Sequence, residues 1–164
     1  MERRDLVIAP LCEGALVLVV ALAAWVARQP LIFASLGPTA FELIETPKRS
    51  SARPYNVIVG HLIAVISAYI ALYVTRGWWA PAASLGDIRL ARVACATLAG
   101  LLTVLGTLLL RATQPAALST TLLIALGVMQ RKRDALIIMA GVLLMVAVGE
   151  PLRRWRARTM QDGS

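Results

Sequence analysis

The sequence predicts an all-α integral membrane protein with four full transmembrane helices and two short helical segments that are broken or re-entrant. Three observations carry this expectation. Across 164 residues the hydrophobic content is 59% and the mean hydropathy is +0.73, outside the range of soluble domains. The 17 basic and 9 acidic residues gather between long uncharged runs instead of scattering along them. A helix needs about 20 apolar residues to cross a ~30 Å hydrocarbon core, so the length allows four such crossings and some shorter pieces. Residues 1–164 therefore read as a single transmembrane domain, and a second, soluble domain does not fit.

Leu6 to Ala27 is the first span, closed by Arg28, Gln29 and Pro30. Its N-terminal residues Met1 to Arg4 and the triplet Ala21, Leu22, Ala23 resemble a secretory signal, but more spans follow, and an uncleaved first helix is the simpler reading. Leu31 to Ile44 is too short for an ordinary span and is interrupted by Ser35, Leu36, Gly37, Pro38 and Thr39. The stretch from Thr46 to Pro54, with Lys48, Arg49 and Arg53 between two prolines, is a water-facing loop. Tyr55 to Thr75 is the cleanest span, with His61 its single ionisable candidate, and Arg76, Gly77, Trp78 and Trp79 mark a headgroup-level interface after it.

After a short polar turn through Asp87, the next span runs from Ile88 to Leu110. Its Ala96, Ala99, Thr103, Gly106 and Leu110 form a mostly small face suited to close helix packing. A further short apolar stretch, Ala116 to Met129, begins directly after Pro115, a residue favoured at the first helical position. Arg131 to Asp134 reads as a polar loop, Ala135 to Gly149 as the last span, and Glu150 and Pro151 as its end. The basic run from Arg153 to Arg158 then favours the cytoplasmic side, as do Arg3 and Arg4.

The order long span, short piece with a proline, basic loop and long span occurs twice, over residues 6–76 and 88–150, which points to an internal repeat. Chance recurrence in a low-diversity alphabet is the competing reading. If both short pieces cross, each half has three crossings and the halves are inverted; if both re-enter, four spans remain.

A net charge of +8 and a pI of about 10.7 raise the question of nucleic acid, but the basic residues sit at the ends of apolar segments, where lipid headgroups are their partner. Cys12 and Cys95 fall inside apolar runs and give no disulfide or metal framework. No paired carboxylates, metal-ligand spacing, phosphate loop or cofactor motif is present, so neither an enzyme nor a cofactor is expected.

Between Ala34 and His61 the runs Ser35-Leu36-Gly37-Pro38-Thr39-Ala40-Phe41, Ser51-Ala52-Arg53-Pro54 and Asn56-Val57-Ile58-Val59-Gly60-His61 occur in order, and Gln114-Pro115-Ala116 is followed by Ser119 and Thr120. In these runs the chain resembles the HPP family of small integral membrane proteins, over roughly Leu11 to Met145. That resemblance implies a multi-span bundle and, from members implicated in nitrite transport, a small anion as substrate. The chain departs from the family's His-Pro-Pro motif, keeping only its first proline, as Pro115.

The residues point to the same place. A helix that begins inside the bilayer leaves its first N–H groups without partners, which is tolerated only against protein, a polar cavity or a ligand. Ser35, Gly37, Pro38 and Thr39 surround one such start, and Thr113, Gln114, Pro115, Ser119 and Thr120 the other. Converging, the two starts would form a donor-rich pocket for a small inorganic anion such as nitrite. Asn56 and His61 complete the candidate substrate-binding set, His61 having as its plainer role a hydrogen bond to a neighbouring helix. In the plainer reading of the starts, the prolines kink buried helices and the hydroxyls bond back to the chain. The function expected is a transporter or channel in the cell membrane, most simply the bacterial inner membrane; the alternative is a scaffold or partner subunit that transports nothing. A bundle this small is expected to form a homo-oligomer in the lipid bilayer, with the Ala96 to Gly106 face as a packing surface.

Overall fold

The computed structural model describes residues 5–86 and 88–160, so the expectations placed on Met1 to Arg4, including Arg3 and Arg4, and on Asp87 fall outside it. The described residues form six α-helices: α1 (Asp5–Ala27), α2 (Leu36–Glu45), α3 (Pro54–Val74), α4 (Leu90–Leu109), α5 (Pro115–Ala125) and α6 (Lys132–Thr159). Four of them, α1, α3, α4 and α6, are long and apolar enough to cross a membrane. The chain is a multi-pass membrane protein, and the two short elements are α2 and α5.

The direction of each element follows from its ends. Arg156 near the end of α6 pairs with Asp5 at the start of α1 at 3.0 Å and also reaches the Ile44 carbonyl near the end of α2, 3.4 Å away. Tyr55 and Asn56 at the start of α3 donate to the carbonyls of Leu110 and Thr113, between α4 and α5. At the opposite end, Arg92 near the start of α4 donates to the Ala125 carbonyl that closes α5, and Tyr69 of α3 to the Arg131 carbonyl before α6. Thus α1, α3 and α5 run one way and α2, α4 and α6 the other. Both short segments connect opposite ends of the bundle.

The short helix α2 reaches along the bundle together with the run that precedes it. Leu31 to Phe33 is irregular and extended before α2 begins. At about 3.3 Å per extended residue for Leu31 to Phe33 and 1.5 Å per helical residue for α2, the segment reaches roughly 25 Å, close to the depth of a hydrocarbon core. The helix thus begins at Leu36, not at Leu31, and Pro38 lies in its first turn. Gly141 on α6 makes room for the extended run, because a Cβ there would strike the Leu31 carbonyl.

Two sequence expectations need correction. The final helix begins at Lys132 and continues through Pro151 to Thr159, so Lys132 to Asp134 are helix and not loop, and the helix runs past its expected end at Glu150 and Pro151. Asp134 accepts from the Arg131 N–H at 2.9 Å, an N-terminal cap made by the supposed loop residue. Beyond Pro151 the helix persists because its basic face has partners: Arg153 is bidentate with Glu150 and donates to the Pro47 carbonyl at 2.7 Å. The second correction is that α5 ends at Ala125 instead of Met129. The small face of α4 packs closely within the chain, as its residues suggest: Ala99 and Thr103 are buried, and a Cβ on Gly106 would lie 2.7 Å from Ile63 Cγ2 of α3. Thr103 of the same face meets Thr121 of α5, while Leu110 is exposed.

Helix α3 packs most closely with α4 and α5, while α2 packs with α6 and α1. The two groups meet where α3 touches α6 and where α2 runs antiparallel beside α5. Because the end of α6 lies beside the start of α1 and so opposite its end, a cysteine in place of exposed Gln29 should be labelled by an impermeant reagent from one side of the membrane and one in place of exposed Arg154 from the other. With the basic tail in the cytoplasm, Gln29→Cys reacts in intact cells and Arg154→Cys only after opening them, both in a background lacking Cys12 and Cys95. Labelling of both from the same side would overturn this arrangement.

Candidate functional site

The seam between α2 and α5 holds a line of polar groups inside an apolar bundle. Polar side chains at membrane depth are costly and face the protein interior or a cavity. At its middle Ser35 Oγ and Thr120 Oγ1 share a 2.6 Å hydrogen bond, both side chains fully buried. Behind it Thr121 of α5 bonds Thr103 of α4 at 2.8 Å. Toward the end that carries the α2–α3 loop, a groove of about 270 Å³ opens between Pro38, Phe41 and Glu42 on one side and Pro115, Ala116 and Ser119 on the other, with Thr46 and Arg49 at its mouth.

The two helix starts share this groove but do not converge. The antiparallel course brings Ser35, at the start of α2, against Thr120, more than a turn into α5, and leaves Pro115 beside the last turns of α2. The donors expected at the start of α5 are also partly used. Gln114 is its N-cap: its Oε1 accepts from the Ala116 N–H at 3.2 Å and its backbone carbonyl from the Ala117 N–H. What Gln114 leaves unspent is its side-chain amide, since Nε2 is buried with no hydrogen-bond partner among the described residues.

The remaining candidates divide. Thr39 bonds back to the Ser35 carbonyl at 2.9 Å, and Asn56 donates to the Thr113 carbonyl at 3.1 Å, fixing the backbone that precedes Gln114. Thr113 itself contributes that carbonyl, its side chain being exposed. Gly37 lines a different groove with Val17, Ile32, Phe33 and Met145. His61 is fully buried, but its Nδ1 bonds the Val57 carbonyl of its own helix at 2.8 Å and not a neighbouring helix; its Nε2 has no partner among the described residues. Beside it Gly60 gives Gln114 its place, because a Cβ on Gly60 would lie 2.7 Å from Gln114 Cβ.

Glu42 is the residue that sequence reasoning missed. Its Oε1 accepts from Ser51 at 3.3 Å, while Oε2 is buried without a partner among the described residues. The Gln114 amide and the Arg49 charge both face this carboxyl, yet no ion pair to it forms among the described residues. The signal available was a lone carboxylate between Phe41 and Leu43 in a short apolar segment. Among the described residues no group of three or more His, Cys, Asp or Glu side chains could hold a metal ion.

The family model described as HPP, transmembrane region, matches residues 2–160. No curated protein and no solved structure matches the chain.

Proposed function

The chain belongs to the HPP transmembrane family, and from that premise we propose that it moves a small inorganic anion, nitrite or a relative, along the seam between α2 and α5. The observation that carries this reading is the unspent, buried Gln114 amide beside a groove between two short crossing helices. In membrane proteins irregular backbone and unpaired polar groups persist at depth where they line a path or a site. The amide donates without carrying charge, Ser119 adds a hydroxyl at the groove wall, and Arg49 at the mouth attracts an anion from water. Ser35 and Thr120 close the path at its middle. Opposed three-element halves that rock about this bond would open it to either end, the arrangement that an inverted repeat supplies.

In this reading the protein acts as a homo-oligomer in a bacterial inner membrane, with the α6 tail in the cytoplasm. The scaffold reading has one observation in its favour, the mutual satisfaction of Ser35 with Thr120 and of Thr103 with Thr121, which closes the seam without a ligand. Purified protein in liposomes decides between them. Nitrite uptake down its gradient, above that of protein-free vesicles and saturable with concentration, is expected of the transporter. Uptake equal to that of empty vesicles for nitrite, nitrate and other small anions would leave the scaffold.

A further inference from the structure

We infer that Glu42 is the binding site for a proton that travels with the anion, so that the two cross the seam together and no net charge moves; this deepens the transport reading and rests on it. Three features of the geometry lead there. The first is that Glu42 lines the groove through which the anion would pass, in company with Pro115 and Ser119. A second is that its carboxyl is under-satisfied for a charged group: Oε1 has one 3.3 Å bond from Ser51 and Oε2 has none. An ionised carboxylate offers about four lone-pair sites, and this half-buried one leaves most of its Oε2 capacity without a protein donor. The third is that the Gln114 amide, whose Nε2 has no partner among the described residues, lies next to this carboxyl.

The groups around Glu42 leave this role open to it. On the α2–α3 loop Arg49 contributes charge without pairing, and Ser51 donates its single bond. On the α6 side Arg153 is committed to Glu150 and the Pro47 carbonyl, and Arg156 to Asp5 and the Ile44 carbonyl. On α3, His61 spends Nδ1 on Val57. No fixed cation therefore locks Glu42 in its charged form.

Two states follow. With Glu42 ionised, the Gln114 amide turns to the carboxylate and the groove repels anions. When the carboxylate takes a proton from water, the resulting O–H becomes a second donor and the amide is released, so an anion is held between two donors. The carboxylate gains one positive charge as the anion brings one negative charge, and the occupied site is as charged as the empty one. Proton and anion raise each other's affinity by the same factor, as linkage requires.

The test uses the full chain in liposomes holding a pH-sensitive dye, with nitrite as the probe, protein-free vesicles as the baseline for nitrous acid leak, and the potential clamped by potassium and valinomycin. Wild type is expected to acidify the lumen as nitrite enters, at a rate independent of potential. On the alkaline side the rate should fall about tenfold per pH unit, as a single protonated group requires. Glu42→Gln, which keeps the shape and a donor, should still take up nitrite but without acidification above baseline, at a rate that follows an inside-positive potential. Infrared spectra of the protein in lipid give a readout without transport: a protonated-carboxyl band that strengthens with nitrite and vanishes in Glu42→Gln. Nitrite uptake by wild type that carries charge, or acidification retained in Glu42→Gln, overturns this inference and leaves the transport reading standing, as does absence of the band. A wild type that moves no nitrite ends both.

Discussion

Replacing Arg92 with methionine is expected to destabilise the folded protein by about 2–6 kcal/mol, because at least two buried acceptors would be left dry at roughly 1–3 kcal/mol each. Arg92 is fully buried and has no carboxylate partner among the described residues. Its guanidinium instead donates to the Pro81 carbonyl at 3.0 Å, the Ala80 carbonyl at 2.6 Å, the Ala125 carbonyl at 2.9 Å and Gln130 Oε1 at 2.9 Å. One planar fork thus ties the α3–α4 connection to the last turn of α5, where the carbonyl end of the helix dipole favours a cation. Gly127, at φ +87°, leaves the space that the guanidinium fills. Lysine cannot substitute, since a single ammonium has three donors and no fork. Denaturation in bicelles should show losses of this size for Arg92→Met, and a loss for Gly127→Ala, while Arg89→Met at an exposed neighbouring position stays near wild type. An Arg92→Met protein within about 0.5 kcal/mol of wild type, the range of a neutral surface change, would show that the fork holds nothing together.

Arg92 also shows where sequence reading stops. The spans were legible because hydropathy and the absence of charge are properties of contiguous residues, and α1, α3 and α4 fall within two residues of their expected ends. Pro115 at the first position of α5 was legible for the same local reason. Pro151 misled because proline usually ends a helix, whereas here partners from distant segments, Asp5, Ile44 and Pro47, hold the turns beyond it. Those partners lie more than a hundred residues away along the chain, and no local pattern announces them. In the candidate site the sequence identified the two starts and the hydroxyls, and the Ser35–Thr120 bond brings members of both together. It could not give the antiparallel offset of α2 and α5, which places Glu42 and not the start of α2 beside Gln114. The offset is set by how α2 packs on α6 and α5 on α3, and packing direction is a tertiary property.

Gln114→Leu should weaken nitrite affinity by about ten- to a hundredfold, whereas Thr120→Val should alter turnover with a smaller effect on affinity. The difference comes from what each donor already does. Gln114 Nε2 has no partner among the described residues, so in this reading its hydrogen bond to an anion is made only on binding. Such a bond to a charged partner is worth roughly 1.5–3 kcal/mol, which is the tenfold to hundredfold range. The same change removes the Oε1 cap on the Ala116 N–H, so a parallel stability loss of about 1 kcal/mol is expected and must be measured beside the flux. Gln114→His separates the two effects: an imidazole restores a donor at the position where the family motif has histidine, and affinity should return toward wild type. Thr120, in contrast, already spends its hydroxyl on Ser35, so valine removes the bond that closes the seam and not a free ligand donor. A neutral hydrogen bond contributes a net 0.5–1.5 kcal/mol or so, and losing it lowers the barrier to opening by about two- to tenfold in rate. Concentration-dependent nitrite uptake by wild type and the three variants resolves affinity from turnover. Equal affinities in wild type and Gln114→Leu would remove Gln114 from the anion site, and an unchanged turnover in Thr120→Val would remove the Ser35–Thr120 bond as its gate.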